Sequence, residues 1–137
     1  MSHLPLRPVY SILLALSLFS FGCGSGRQLQ SVALTPATAD AKNFANGIVP
    51  FTATGTFNKP PSPQPLTSSD VLWCAGSGGI CDGNINPGVT LDQSGRAQCE
   101  AGFSGTVTIL AGEATPASGP DGGPHLKVFG AGQLTCP

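Results

Sequence analysis

Charged residues are scarce in this chain of 137 residues, which has six Lys and Arg, seven Asp and Glu and a formal net charge of −1. A nucleic-acid-binding protein needs a basic stripe to neutralise phosphates, so the composition argues against that class. The same scarcity argues against a polybasic membrane patch and an acidic disordered tail. At this length we expect one domain.

Helical patterning is also lacking, because no segment after residue 22 repeats apolar residues every three or four positions. In its place the chain has 19 Gly and 13 Pro, which favour turns, while 40% of its residues are hydrophobic, which argues against wholesale disorder. This combination indicates short strands joined by turns.

Groups that carry out catalysis are few. The chain has two His, and only His125 lies beyond the N-terminal apolar segment, next to a predicted loop at 113–124. A catalytic His must be held by a carboxylate and aimed at a nucleophile, and this context predicts neither. The sequence at 102–106 (GFSGT) lacks the second Gly of a nucleophile elbow. We predict no enzyme, no catalytic residue and no cofactor.

A metal site is not predicted either. Asp82, Gly83 and Asn84 offer oxygen ligands of the kind that calcium uses, but the further carboxylates of a calcium loop are missing. A carboxylate pair for glycoside cleavage could be drawn only from six acids, none of which has a distinctive context: Asp70, Asp82, Asp92, Glu100, Glu113 and Asp121.

The N-terminus has the pattern of an export signal. Arg7 precedes an uncharged apolar run at 9–21, and the small residue Gly22 follows. This run suits a signal peptide over 1–22 and is too short for a membrane-spanning helix. The segment before Cys23 also resembles a bacterial lipobox, in which a small residue precedes a Cys that is lipidated. Ordinary cleavage after Gly22, giving a secreted or periplasmic protein, is the alternative.

The number of cysteines favours lipidation at Cys23. Five Cys in an exported chain leave one unpaired, and a free thiol at an exposed terminus would be reactive. Lipidated Cys23 would anchor the protein to a membrane of the cell envelope. Residues 23–28 would form a flexible tether, followed by one domain over 29–137.

Alternating apolar residues predict strands along this domain. The first is predicted at 29–34, and in the next, at 48–57, alternate residues (Val49, Phe51, Ala53 and Gly55) share one face. Pro50 should lie at a strand start or a solvent-facing edge. Residues 88–91 and 96–99 flank a turn at 92–95, and Val107, Ile109 and Ala111 share another face. The prediction is an all-β, antiparallel β-sandwich of about seven short strands.

Five segments in order carry a family resemblance: VALTP at 32–36, VPFTATGTF at 49–57, VLW at 71–73, VTLDQSG at 89–95 and AGFSGTVTI at 101–109. Together they resemble a bacterial immunoglobulin-like domain of the group 2 type over residues 29–111. The resemblance implies an immunoglobulin-like fold. The chain departs from the family pattern in four features: a Pro-rich loop, the Gly-rich segment at 75–87, an added C-terminal strand and the four cysteines after residue 28, which we call the body cysteines.

The remaining cysteines, Cys74, Cys81, Cys99 and Cys136, allow three disulfide pairings. Export favours disulfides over a four-thiolate zinc site, and the chain lacks a CxxC pair. We favour Cys74–Cys81, which would close the Gly-rich segment, and Cys99–Cys136, which would tie the last strand to the sheet.

Trp73 is the only Trp in the chain. Immunoglobulin-like folds bury a Trp on a central strand, and we expect Trp73 in the core. The expected function is therefore an exported, lipid-anchored structural or adhesive surface module that binds a cell-envelope protein or glycan. The alternative is a carbohydrate-binding module that exposes Trp73 to sugar rings.

Overall fold

A computed structural model describes residues 26–82, 88–118 and 123–137. Within these ranges the chain forms eleven strand segments and two short 3-10 turns, Ala41–Asn43 and Ala45–Gly47. The strands are β1 (Leu29–Thr35), β2 (Thr38–Asp40), β3 (Ile48–Pro50), β4 (Thr52–Phe57), β5 (Gln64–Leu66), β6 (Leu72–Ser77), β7 (Ile80–Cys81), β8 (Val89–Leu91), β9 (Arg96–Cys99), β10 (Gly105–Ser118) and β11 (Pro124–Cys136).

The strands form antiparallel sheets that pack together, which confirms the all-β sandwich. One sheet has the order β1-β4-β5, a second has the order β3-β9-β8, and the largest contains β10, β6, β7, β11 and β2. The β10–β11 ladder runs from the Gly105–Cys136 pair to the Ser118–Pro124 pair. The short strand β2 pairs with β11 in parallel.

The predicted strand at 48–57 changes sheets at Pro50. Its first part, β3, pairs with β9, and its second part, β4, pairs with β1. Pro50 has no N–H to donate to a ladder, and its exposed ring lies at the end of an edge strand, as predicted. The alternation continues through the break, because Val49, Phe51 and Ala53 are all buried.

The main core draws on strands of all three sheets. Val107, Ile109 and Ala111 of β10 face it, as their spacing predicts, together with Val49 and Phe51. The layers approach closely where β11 crosses β1: Gly130 lies against the backbone of Val32, and a Cβ at this position would overlap that backbone. The Gly-rich composition therefore serves packing between layers as well as turns.

A second, smaller core lies on the other face of β10. Strands β10, β6, β7 and β11 pair in a closed ring, because the β6–β7 hairpin folds over and joins β11 at His125. Leu110, Cys81 and Leu126 are buried inside this ring. The sequence predicted a Gly-rich excursion over 75–87, and in its described part the β6–β7 hairpin covers Leu110.

The β10–β11 hairpin is longer than predicted. The predicted loop at 113–124 is wrong, because residues 113–118 continue β10 and Pro124 already begins β11. Two irregularities in the ladder, after Glu113 and after Ala114, accompany the continuation of β10 past Pro116 to Ser118.

Candidate functional site

The body cysteines form two disulfides, Cys74–Cys81 and Cys99–Cys136, with Cα–Cα distances of 5.6 and 5.8 Å. This confirms the favoured pairing, and it excludes the zinc alternative because no thiolate remains among these four residues. Cys74–Cys81 closes the β6–β7 hairpin over the second core. Cys99–Cys136 joins the end of β9 to the end of β11.

The predicted signal peptide over 1–22 and the predicted lipidation site Cys23 lie outside the described residues. In the part of the chain that the structure describes, no helix is long and apolar enough to cross a membrane. The same part contains no group of three or more His, Cys, Asp or Glu residues arranged to hold a metal ion.

Trp73 is 4% exposed and belongs to the main core, as predicted. The side chain of Gln93 accepts a hydrogen bond from the backbone N–H of Trp73 (3.2 Å) and donates one to its carbonyl (3.0 Å). Gln93 thereby satisfies the backbone N–H and carbonyl of Trp73, which a neighbouring strand would otherwise pair with. Since Trp73 is enclosed, it presents no ring to a sugar, and the residue on which the carbohydrate-binding alternative depended is a core residue.

The turn at 92–95 is held by the carboxylate of Asp92. This carboxylate accepts hydrogen bonds from the hydroxyl of Ser94 (2.6 Å), the N–H of Ser94 (2.8 Å) and the N–H of Arg96 (3.1 Å). The hydroxyl bond, then the N–H of Arg96, holds the pKa of Asp92 below its usual value of 3.8. Gly95 has a φ of +84° and lies against the Trp73 ring, so the turn also closes the core.

His125 lies in β11 and pairs with Ile80 of β7, which corrects its predicted place beside a loop. Its backbone carbonyl accepts a hydrogen bond from the hydroxyl of Thr115 (3.2 Å). His125 therefore forms part of the closed ring of strands.

An open cleft of about 430 Å³ lies where β10 begins and β11 ends, and we call it the distal cleft. One wall is the pair of 3-10 turns at 41–47, and the other is the loop at 99–103. The half-buried rings of Phe44 and Phe103 line it, with Lys42 and Glu100 as charged groups at the same opening. The Cys99–Cys136 disulfide anchors the second wall.

Polar contacts hold the walls of the distal cleft. Asp40 accepts from the N–H of Lys42 (3.1 Å) at the start of the first turn and pairs with its ammonium group (2.9 Å). The hydrogen bond from the ammonium group of Lys42 holds the pKa of Asp40 below its usual value. Gln98 donates to the carbonyl of Asn46 (3.1 Å) and so joins β9 to the opposite wall. The cleft is a preformed, partly apolar depression with few charges.

The opposite end of the sandwich, where β1 begins, carries a second cluster around Arg27. The Arg27 guanidinium stacks on the Phe57 ring, 3.5 Å from its centroid. It donates to the carbonyls of Lys59 (3.3 Å) and Pro61 and to the side-chain oxygen of Gln64 (2.8 Å). We call Arg27 and these contacts the tether clasp.

Gln28 extends the tether clasp by a reciprocal pair of hydrogen bonds. Its N–H donates to the side chain of Asn58 (2.8 Å), and its carbonyl accepts from the N–H of Asn58 (3.1 Å). Arg27 and Gln28 lie in the predicted flexible tether over 23–28, and these contacts were not predicted. Only the fold brings the Pro-rich loop at 58–63 beside the start of β1, so no local pattern could have revealed them.

No protein-family model and no curated protein sequence matches this chain. The strand order, the disulfides and the two ends of the sandwich are therefore the basis for a functional proposal.

Proposed function

We propose that this chain is an exported protein, lipidated at Cys23, whose immunoglobulin-like sandwich serves as a non-catalytic adhesive or structural module at a membrane of the cell envelope. One observation carries the proposal. Cys74, Cys81, Cys99 and Cys136 are all joined in disulfides, which leaves Cys23 as the cysteine without a partner inside the domain.

The disulfides support export, because such bonds persist in oxidising compartments and are rare where cellular reductants keep thiols reduced. Cys23 directly follows Gly22 and an apolar run, the context in which a bacterial lipoprotein cysteine occurs. Acylation would convert an exposed thiol into an anchor, whereas ordinary cleavage would leave that thiol free to react.

The bacterial group 2 immunoglobulin-like assignment is supported by where its segments fall. FTATGTF forms Phe51 and β4, VLW leads into β6, and SGTVTI forms the start of β10. Trp73 in the core and the β8–β9 hairpin agree with such a sandwich. The fold hosts many functions, so the ligand has to be argued from the surface.

The distal cleft is the surface best suited to a partner. It lies at the end of the β10–β11 ladder opposite the tether clasp, so a partner approaching it would not meet the anchor. Its aromatic rings offer apolar contact area, and its charged groups can orient a cell-envelope protein or glycan.

Metabolic labelling with a fatty acid tests the anchor. We expect the wild-type protein to incorporate label and the Cys23→Ser variant to incorporate none. The matched control is Cys74→Ala with Cys81→Ala, which removes two other cysteines and should retain the label. Equal labelling of Cys23→Ser and the wild type would contradict the anchor.

Binding by the distal cleft is tested by affinity capture from a solubilised cell envelope. We expect Lys42→Glu, at the cleft, to reduce recovery of the partner and Lys127→Glu, at the opposite end, to leave it unchanged. The reverse pattern would move the binding surface away from the distal cleft.

A further inference from the structure

The tether clasp limits how far the domain can move from its anchor, and this inference depends on the proposed lipidation of Cys23. Three residues separate Cys23 from Arg27. Covalent geometry therefore places the Cα atom of Cys23 at most about 14 Å from that of Arg27. The Arg27 guanidinium is tied to the domain by its contacts with Phe57, Pro61 and Gln64, and the backbone is tied from Gln28 onward by its two hydrogen bonds with Asn58.

The short segment at 23–26, which we call the leash, joins the anchor to the tether clasp. It therefore holds one end of the sandwich close to the bilayer. This end consists of the Pro-rich loop at 58–63 and the start of β1, with the side chains of Lys127, Asp70 and Glu113 beside it. It cannot move away from the bilayer by more than the length of the leash while the clasp is closed.

The charges at this end suit an anionic surface. Among the described residues, this end has a net charge of +1, from Arg27, Lys59 and Lys127 against Asp70 and Glu113. The rest of the described chain has a net charge of −2. Lys59 and Lys127 are both exposed. Each Lys close to an anionic bilayer is attracted to it, whereas the more acidic remainder of the domain is repelled.

We propose that this end is a membrane-contact surface, on which Lys59 and Lys127 bind the phosphates of anionic lipid headgroups while the tether clasp directs the distal cleft away from the bilayer. Arg27 is a positioning residue in this arrangement, because its guanidinium is engaged by the domain itself.

The lysines of the chain provide the test, since Lys42 at the distal cleft is an internal control for Lys59 and Lys127. The full mature chain from Cys23 is coupled through its thiol to vesicles that contain a maleimide-bearing lipid. This coupling makes the test independent of lipidation in the cell. Amine-reactive labelling and mass spectrometry then compare the reactivity of each Lys on vesicles with that of uncoupled protein.

On vesicles of phosphatidylcholine and phosphatidylglycerol in equal parts, labelling of Lys59 and Lys127 should slow by about fivefold, the ratio given by about 1 kcal/mol of attraction per lysine. Lys42 should react as in the uncoupled protein. On vesicles with phosphatidylcholine alone as the phospholipid, the protection should shrink. Equal reactivity of the three lysines, or protection of Lys42, would overturn the proposal.

The Arg27→Gln variant tests the clasp, with Trp73 fluorescence as the check that the core remains folded. We expect protection of Lys59 and Lys127 to fall toward that of Lys42, because the tether is then held only from Gln28 onward and the Arg27 side chain no longer fixes its direction. Undiminished protection would overturn the role of Arg27. Failure of fatty-acid labelling in cells, with protection on vesicles retained, would refute the anchor and leave the surface itself supported.

Discussion

Removing the Cys99–Cys136 disulfide should destabilise the domain more than removing Cys74–Cys81. The first bond joins residues 37 apart in sequence, and the second joins residues 7 apart. In the loop-entropy description, a longer closed ring restricts the unfolded chain more. The expected contributions are about 4 kcal/mol for the long ring and about 2.5 kcal/mol for the short one.

The comparison isolates ring size because the packing losses are similar. Cys136 and Cys81 are 4% and 3% exposed, so replacing each pair by Ala removes comparable buried volume. A domain of this size has a total unfolding free energy of about 5–15 kcal/mol. Losing the long ring therefore removes a large share of the stability and, at the low end of this range, unfolds the domain.

The assay is equilibrium urea unfolding followed by the fluorescence of Trp73, the only Trp and a core residue. Two double variants are compared with the wild type: Cys99→Ala with Cys136→Ala, and Cys74→Ala with Cys81→Ala. The unfolding free energy extrapolated to water should fall further in the first. A larger loss in the second would show that ring size does not set the order and would assign the greater stabilisation to the hairpin that covers Leu110.

Three further predictions concern the turn beside Trp73. Gly95→Ala should cost about 3 kcal/mol in urea unfolding, because a Cβ would overlap the backbone carbonyl oxygen of Phe51 and the Trp73 ring (2.8 Å) in addition to the left-handed strain. Gly102→Ala, at φ +82° with open space, should cost about 1 kcal/mol. Equal losses would contradict this packing. Gln93→Ala should cost about 1–2 kcal/mol, because both bonds to the Trp73 backbone are lost, and an unchanged urea midpoint would refute that role. Because the pKa of Asp92 is lower in the folded than in the unfolded protein, its ionised carboxylate stabilises the fold above the unfolded pKa, and this stabilisation is lost as pH falls through the folded pKa. The stability of Asp92→Asn relative to the wild type should therefore improve between neutral and acidic pH. A difference in urea midpoint that stays constant with pH would contradict this.

Local sequence patterns predicted the features that depend on neighbours along the chain. Alternation placed Val107, Ile109 and Ala111 in the core, and the turn at 92–95 placed β8 beside β9. The disulfide pairing was favoured because Cys74–Cys81 would close the Gly-rich segment and Cys99–Cys136 would tie the last strand to the predicted hairpin arm at 96–99. Strand alternation and turn formation depend on residues close together in sequence, and the number of cysteines can be read directly from the composition.

Features that depend on tertiary contact were not predicted. The β6–β7 hairpin folds over Leu110 and pairs with His125, and nothing near residue 80 in sequence encodes that distant partner. The Arg27 contacts likewise require the Pro-rich loop, more than thirty residues away, to be in place. The predicted loop at 113–124 was wrong because bulges let a strand continue through residues that usually break one.

Lipidation of Cys23 and oxidation of the other four cysteines can be read together by intact-mass and peptide analysis of the protein purified from cell membranes. We expect a chain that begins at Cys23 and carries acyl groups there, with the other four cysteines in two disulfides that resist alkylation until they are reduced. A chain that retains residues 1–22, or a Cys23 free of lipid together with alkylatable thiols in the body of the domain, would contradict it.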